Sequence, residues 1–172
     1  MRNNKIFLIA TGLLISVQAS AKLNVITTVT DLKSLVEQVG KENVEVQNIA
    51  KGTQDPHFID AKPSYMTKTS HADLVVAIGL GLEDAWLNNV LKGARNPKVN
   101  RGSSGFLAIG PSLDPEEIPE GTAVSRSEGD VHPEGNPHVT VDPVRMAKAA
   151  ELIGNKLADL DSAHKDQYLA NA

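Results

Sequence analysis

The sequence predicts an α/β protein in which a parallel sheet is flanked by helices. Three observations carry this. Short β-branched apolar runs alternate with stretches of helical periodicity. The run "DLVVAIG" (73–79) is apolar without alternation, as strands covered on both faces are. About 150 residues follow an N-terminal leader, enough for one domain with its own core.

The elements follow in order. "KLNVITTV" (22–29) is a β-branched apolar run bounded by polar residues, hence a buried strand. Thr30 is placed to cap a helix whose apolar positions Leu32, Leu35, Val36 and Val39 share one face, with Gly40 as its stop. "NVEVQNIA" (43–50) reads as a second strand and "KGTQDPHF" as a loop. "KPSYMTKTSHA" reads as a short helix opened by Pro63. After the third strand at 73–79, "LEDAWLNNVLKGA" (82–94) predicts a helix with Leu82, Trp86 and Val90 on one stripe. From "NPKVN" to "SRSEGD" the chain is rich in Gly, Pro and Ser, a loop region with one short strand at "GFLAIG". Asp142 and Pro143 then form an N-cap and first-turn pair, and Met146, Ala150, Ile153, Leu157 and Leu160 make a single stripe. "LDS" breaks that helix, and Ser162 begins another helical stretch.

Met1 to Ala21 has a basic start (Arg2, Lys5), the apolar run "IFLIATGLLISV" and an A-x-A-like site at Ala19-Ser20-Ala21, the pattern of a cleaved secretory leader. The run is shorter than the about 20 residues a spanning helix needs, so no membrane insertion is expected after cleavage. The chain has no cysteine: no disulfide, no thiolate ligand and no lipid-anchor cysteine after the cleavage point. A bacterial periplasm is the expected compartment. Of 17 Lys and Arg, two lie in the leader, which leaves 15 against 21 Asp and Glu, a net of −6. That balance argues against a nucleic-acid partner, which calls for a basic face.

Two stiff loops carry the residues with chemical promise. In "GTQDPHFIDAKPS", His57 follows the second strand, at the edge of a parallel sheet where α/β proteins bind ligands. In "GDVHPEGNPHVTVDP", His138 sits between Pro137 and the helix that starts near Pro143. Two imidazoles converging from rigid loops would make half of a first-row metal site. His132 stands six residues before His138 and stays open between spectator and auxiliary ligand. His71, at a helix end, and His164 keep the ordinary reading of surface or cap residues.

"QDPHFIDAKPS", "ADLVVAIGLGLEDAWLNNVLKGARNPKV" and "HPEGNPHVTVDP" together resemble the zinc- and manganese-binding solute-binding proteins of bacterial ABC transporters, in the right order across nearly all of the mature chain. The resemblance implies two α/β lobes joined by one long helix, with a metal held between them. It implies that His57, from the D-P-H loop, and His138, from N-P-H-x-x-x-D-P, are the first lobe's ligands, the others coming from a second lobe. It further implies that residues 22–161 are the N-terminal lobe, that 162–172 begin the interlobe helix, and that a second lobe should follow. Many members carry aromatic residues just after the second histidine, where Val139 and Thr140 stand here. The long His-rich loop of many zinc-specific members is replaced by a short acidic one (Glu128, Asp130, Glu134).

The expected function is capture of a divalent metal ion, Zn2+ or alternatively Mn2+, for delivery to an ABC transporter permease, with no covalent chemistry and so no enzyme. Affinity should fall below about pH 6.5 as imidazoles protonate. A lone lobe would bind weakly and expose an apolar face, so self-association through that face is expected. Two other readings stand beside this one. A zinc hydrolase would need a general base such as Glu134 or Asp142, yet no H-E-x-x-H signature is present. A non-metallated interaction or structural domain, left by truncation, is the other.

Overall fold

The computed structural model describes residues 21–119 and 132–172. The leader reading of residues 1–21 falls almost wholly outside the described residues, as do Glu128 and Asp130 of the acidic loop.

The chain runs β1 (Leu23–Thr27), α1 (Thr30–Gly40), β2 (Val44–Asn48), α2 (Pro63–Ser70), β3 (Leu74–Ala77), α3 (Leu87–Ala94), β4 (Phe106–Ala108), α4 (Pro143–Leu160) and α5 (Lys165–Asn171). The four strands form one sheet in the order β2-β1-β3-β4, and every pairing is parallel. The α/β expectation with a parallel sheet is met.

Side-chain alternation along β1 and β3 explains their unbroken apolar runs. Val25, Leu74 and Val76 face a core built with Leu32, Val36, Ile153, Leu157 and Tyr168, from α1, α4 and α5. Ile26, Val75 and Ala77 face the opposite way, onto Trp86, Leu87, Val90 and Leu91. Each central strand is covered twice, so neither face can be polar.

This topology also sets where a site can form. The chain leaves β1 for β2 on one side, then crosses back over to β3 on the other. The crossovers use opposite faces, with α1 packed in one core and α2 and α3 packed together across the sheet. The loops at the carboxyl ends of β1 and β3 therefore diverge, which opens a crevice at the switch point.

Local differences from the expected elements have identifiable causes. Val29, not Thr30, holds the N-cap position of α1, and no side chain caps that end. The helix expected over 82–94 begins only at Leu87. Gly79, Leu80 and Gly81 all take positive φ, and Glu83 folds back to accept from the N–H groups of Ile78 and Gly79. The backbone is thus turning through 79–86, and the buried stripe of α3 is Leu87, Val90, Leu91 and Ala94. At α4 the expectation holds in detail: the Asp142 carboxylate accepts from the N–H groups of Val144 and Arg145, with Pro143 at the first position. Among the described residues, no helix is long and apolar enough to cross a membrane.

Candidate metal centre

The loop after β2 carries His57. Asp55, two residues earlier, accepts the His57 backbone N–H at 2.9 Å and lies 2.7 Å from its ring Nδ1, both through Oδ1. A carboxylate only accepts, so Nδ1 is the protonated ring atom and Nε2 presents its lone pair outward. Those bonds, first the backbone N–H and then the ring, hold the Asp55 carboxyl below its ordinary value.

The second segment, 132–138, is braced against the loop that leaves β4. Asn136 donates from its backbone to the Glu116 carbonyl at 2.8 Å and from its side chain to Glu117 at 2.8 Å. Its Oδ1 accepts the His138 backbone N–H at 2.9 Å. The Gly135 N–H closes a turn onto the His132 carbonyl at 3.1 Å. Gly135 has φ +110, and a Cβ there would lie 2.8 Å from Pro115, so only glycine fits both the angle and the approach. Arg145 on α4 pairs with Glu116 and reaches Asp142 at 3.4 Å, which ties this loop to the helix start.

That turn folds His132 back beside His138, and both meet His57. One nitrogen from each of His57, His132 and His138 lies within 4.8 Å of the others. The Nε2 atoms of His57 and His132 are 3.2 Å apart, and the ring centroids form a near-equilateral triangle of 5.2, 5.6 and 5.8 Å. His57 and His132 are buried, while His138 is exposed. Nitrogens bound to one tetrahedral zinc at the usual bond length stand roughly 3.3 Å apart. The buried pair already has that spacing, and His138 is the partner with room to close in. Two bare nitrogens this close repel unless a proton or a cation lies between them, so the donor set fits a borderline-soft divalent cation.

All three histidines singled out from the sequence are therefore brought together. His71 and His164 are not: His71 is an exposed residue at the end of α2, and His164 donates to Asp161 at 2.6 Å, at the start of α5. Asp142 is occupied as a helix cap and an Arg145 partner, and Glu134 is exposed. Sequence reasoning missed Asp55, although an Asp two residues before a His is the spacing of an Asx turn. It also missed Glu83 and Trp86 as supports of the site's floor. Val139, in a position often aromatic in the resembling family, is buried in the core with α4.

Residues 25–172 match the family model for the periplasmic component A of the zinc-uptake complex, ZnuA. The chain belongs to the ZnuA family. The metal ABC transporter substrate-binding lipoprotein ScbA of Streptococcus cristatus is 27% identical over 155 residues, covering 88% of this chain and 46% of ScbA. The manganese-binding lipoprotein MntA of Halalkalibacterium halodurans is 25% identical over 150 residues, covering 87% of this chain and 44% of MntA. Among solved structures, a crystal structure of ZnuA superposes with a TM-score of 0.64 at 27% identity, covering 87% of this chain and 51% of that one. The chain thus spans about half the length of the relatives it matches. By their names, ScbA is a substrate-binding protein of a metal ABC transporter and MntA a manganese-binding protein.

Proposed function

We propose that this ZnuA-family chain forms a metal-capturing lobe of an extracytoplasmic substrate-binding protein, which takes up a divalent transition metal and delivers it to the permease of an ABC importer. His57, His132 and His138 are the ligands, His132 as a full member of the set. Zinc is preferred over manganese. The observation that carries this is the triangle of imidazoles, one nitrogen from each within 4.8 Å, with the His57 ring locked by Asp55. The preference follows from the donors: three imidazoles suit zinc, manganese favours oxygen-rich sites, and among the described residues the cluster contains no carboxylate.

In this reading residues 1–21 direct the chain to the periplasm, 22–161 are the binding lobe and 162–172 begin the interlobe helix. Phe58, beside the His57 ring, and Val141 and Val144, just beyond His138, are large apolar side chains left exposed. They would meet a second lobe across the bound ion, and uncovered they favour self-association.

Zinc titration of the full chain against a competing chelator tests this, with His57→Ala, His132→Ala and His138→Ala in parallel. One site, weakened by each substitution, is the expected result. Binding no tighter than that of a variant carrying all three substitutions would leave a folded domain without metal function.

A further inference from the structure

Trp86 is the protein's single tryptophan, and it is almost wholly buried. A buried indole needs a partner for its one donor. Here Nε1–H donates to the carbonyl oxygen of Pro56 at 2.8 Å. Pro56 lies between Asp55 and His57, so this bond grips the backbone of the tripeptide that presents the His57 ring. Several bonds around it are local: Gln54 N–H to the Lys51 carbonyl, Phe58 N–H to the Asp55 carbonyl, and the two bonds from His57 to Asp55. They shape the loop internally. The indole reaches thirty residues along the chain to hold it from outside.

Trp86 itself stands on a fixed turn. Its backbone N–H and that of Leu87 donate to the Glu83 carbonyl at 3.2 and 2.8 Å. The Glu83 side chain is completely buried and accepts from the Thr28 hydroxyl at 2.6 Å. It also accepts from the N–H groups of Ile78 and Gly79 at 2.8 and 2.9 Å. Thr28 follows β1, and Ile78 and Gly79 follow β3, so one carboxyl group clamps the ends of both central strands at the switch point. Gly81, within the same turn, lies against His132: a Cβ there would be 3.7 Å from its Nδ1. A continuous line of bonds runs from the sheet through Glu83 to Trp86, Pro56 and His57.

We infer that Trp86 is a positioning residue for the metal centre: its indole N–H holds the Pro56 carbonyl, and with it the His57 imidazole, at fixed reach of His132 and His138. The inference rests on the metal-capture reading above. Glu83 anchors the turn that carries the indole.

Trp86→Phe keeps an aromatic ring in the core and deletes the donor. The expected result is a zinc dissociation constant about tenfold higher, the scale on which partners behind a metal ligand act, together with altered ligand-field bands of the cobalt-loaded protein. Leu91→Ala, in the same core cluster, controls for stability and should leave both unchanged. Wild-type affinity and spectrum in Trp86→Phe, or equal losses in Leu91→Ala, would overturn the inference. Wild type and His57→Ala are run alongside. If these two bind zinc equally poorly, the metal-capture reading fails and the inference goes with it; if they differ while Trp86→Phe matches wild type, the inference alone fails. A measurement on wild type needs no variant: the indole N–H resonance should exchange slowly with solvent, and immediate exchange would remove the bond on which the argument stands.

Discussion

His57 and His132 approach to 3.2 Å between their Nε2 atoms, across 75 residues of sequence. Both rings are buried, and Asp55 spends the proton-bearing nitrogen of His57 elsewhere. The contact calls for a proton or a cation between the two nitrogens, with His138 at its open side. The following outcomes are expected.

Asp55→Ala removes the carboxylate that fixes the His57 tautomer. Asp55 is largely exposed, but the change takes an acceptor from the buried His57 ring, so stability should fall by about 1 kcal/mol. Zinc affinity should fall about 10–100-fold. Chelator competition and a melting curve on the same sample separate the two effects.

His132→Asp exchanges one imidazole for an oxygen donor. Zinc binding should weaken by roughly tenfold or more, while manganese loses less, so the ratio of the two affinities narrows. An unchanged ratio in paired titrations would remove His132 from the set of ligands.

Burial lifts the Glu83 carboxyl above its ordinary value of 4.5, against the pull of Thr28, Ile78 and Gly79. A group raised in the folded state binds more protons there than in the unfolded chain. Its contribution to stability is therefore complete below pH 4.5 and is lost as pH rises through the folded value. Glu83→Gln should flatten the decline of melting temperature above that pH. The slope is the readout, because the lost acceptor lowers the whole curve.

Asp161 receives bonds from His164 at 2.6 Å and from Tyr168 at 2.8 Å, which closes α5 onto α4. Burial pushes its carboxyl up, but the two bonds outweigh burial and hold it below its ordinary value of 3.8. The same contact, with burial first, raises the Tyr168 hydroxyl. A carboxyl depressed in the folded state stabilises above pH 3.8 and loses that contribution as pH falls through its folded value. Tyr168→Phe should cost about 1 kcal/mol at neutral pH, and Asp161→Asn should blunt the acid limb of the denaturation profile.

Much of this was legible in the residues. The run 73–79 announced a strand buried on both faces, and β3 contributes to both cores. Asp142 and Pro143 announced the start of α4. His57 and His138 were legible because each sits in a proline-stiffened loop at an element boundary. His132 was less so: six residues from His138 is not a helical spacing, and only the turn at Gly135, seated on Pro115, brings the two together. The late start of α3 was hidden for a similar reason. Leu82, Trp86 and Val90 match a helical period, but Glu83 finds better partners in the ends of two strands than on a helix surface.

The gradient of exposure across the three histidines has a kinetic consequence. Two of them form the floor and one stands at the mouth, so under the proposed metal-capture role an arriving ion would meet His138 first. His57 and His132 would then complete the grip from below. On that reading His138 would govern how fast an ion is exchanged, and the buried pair how long it is held.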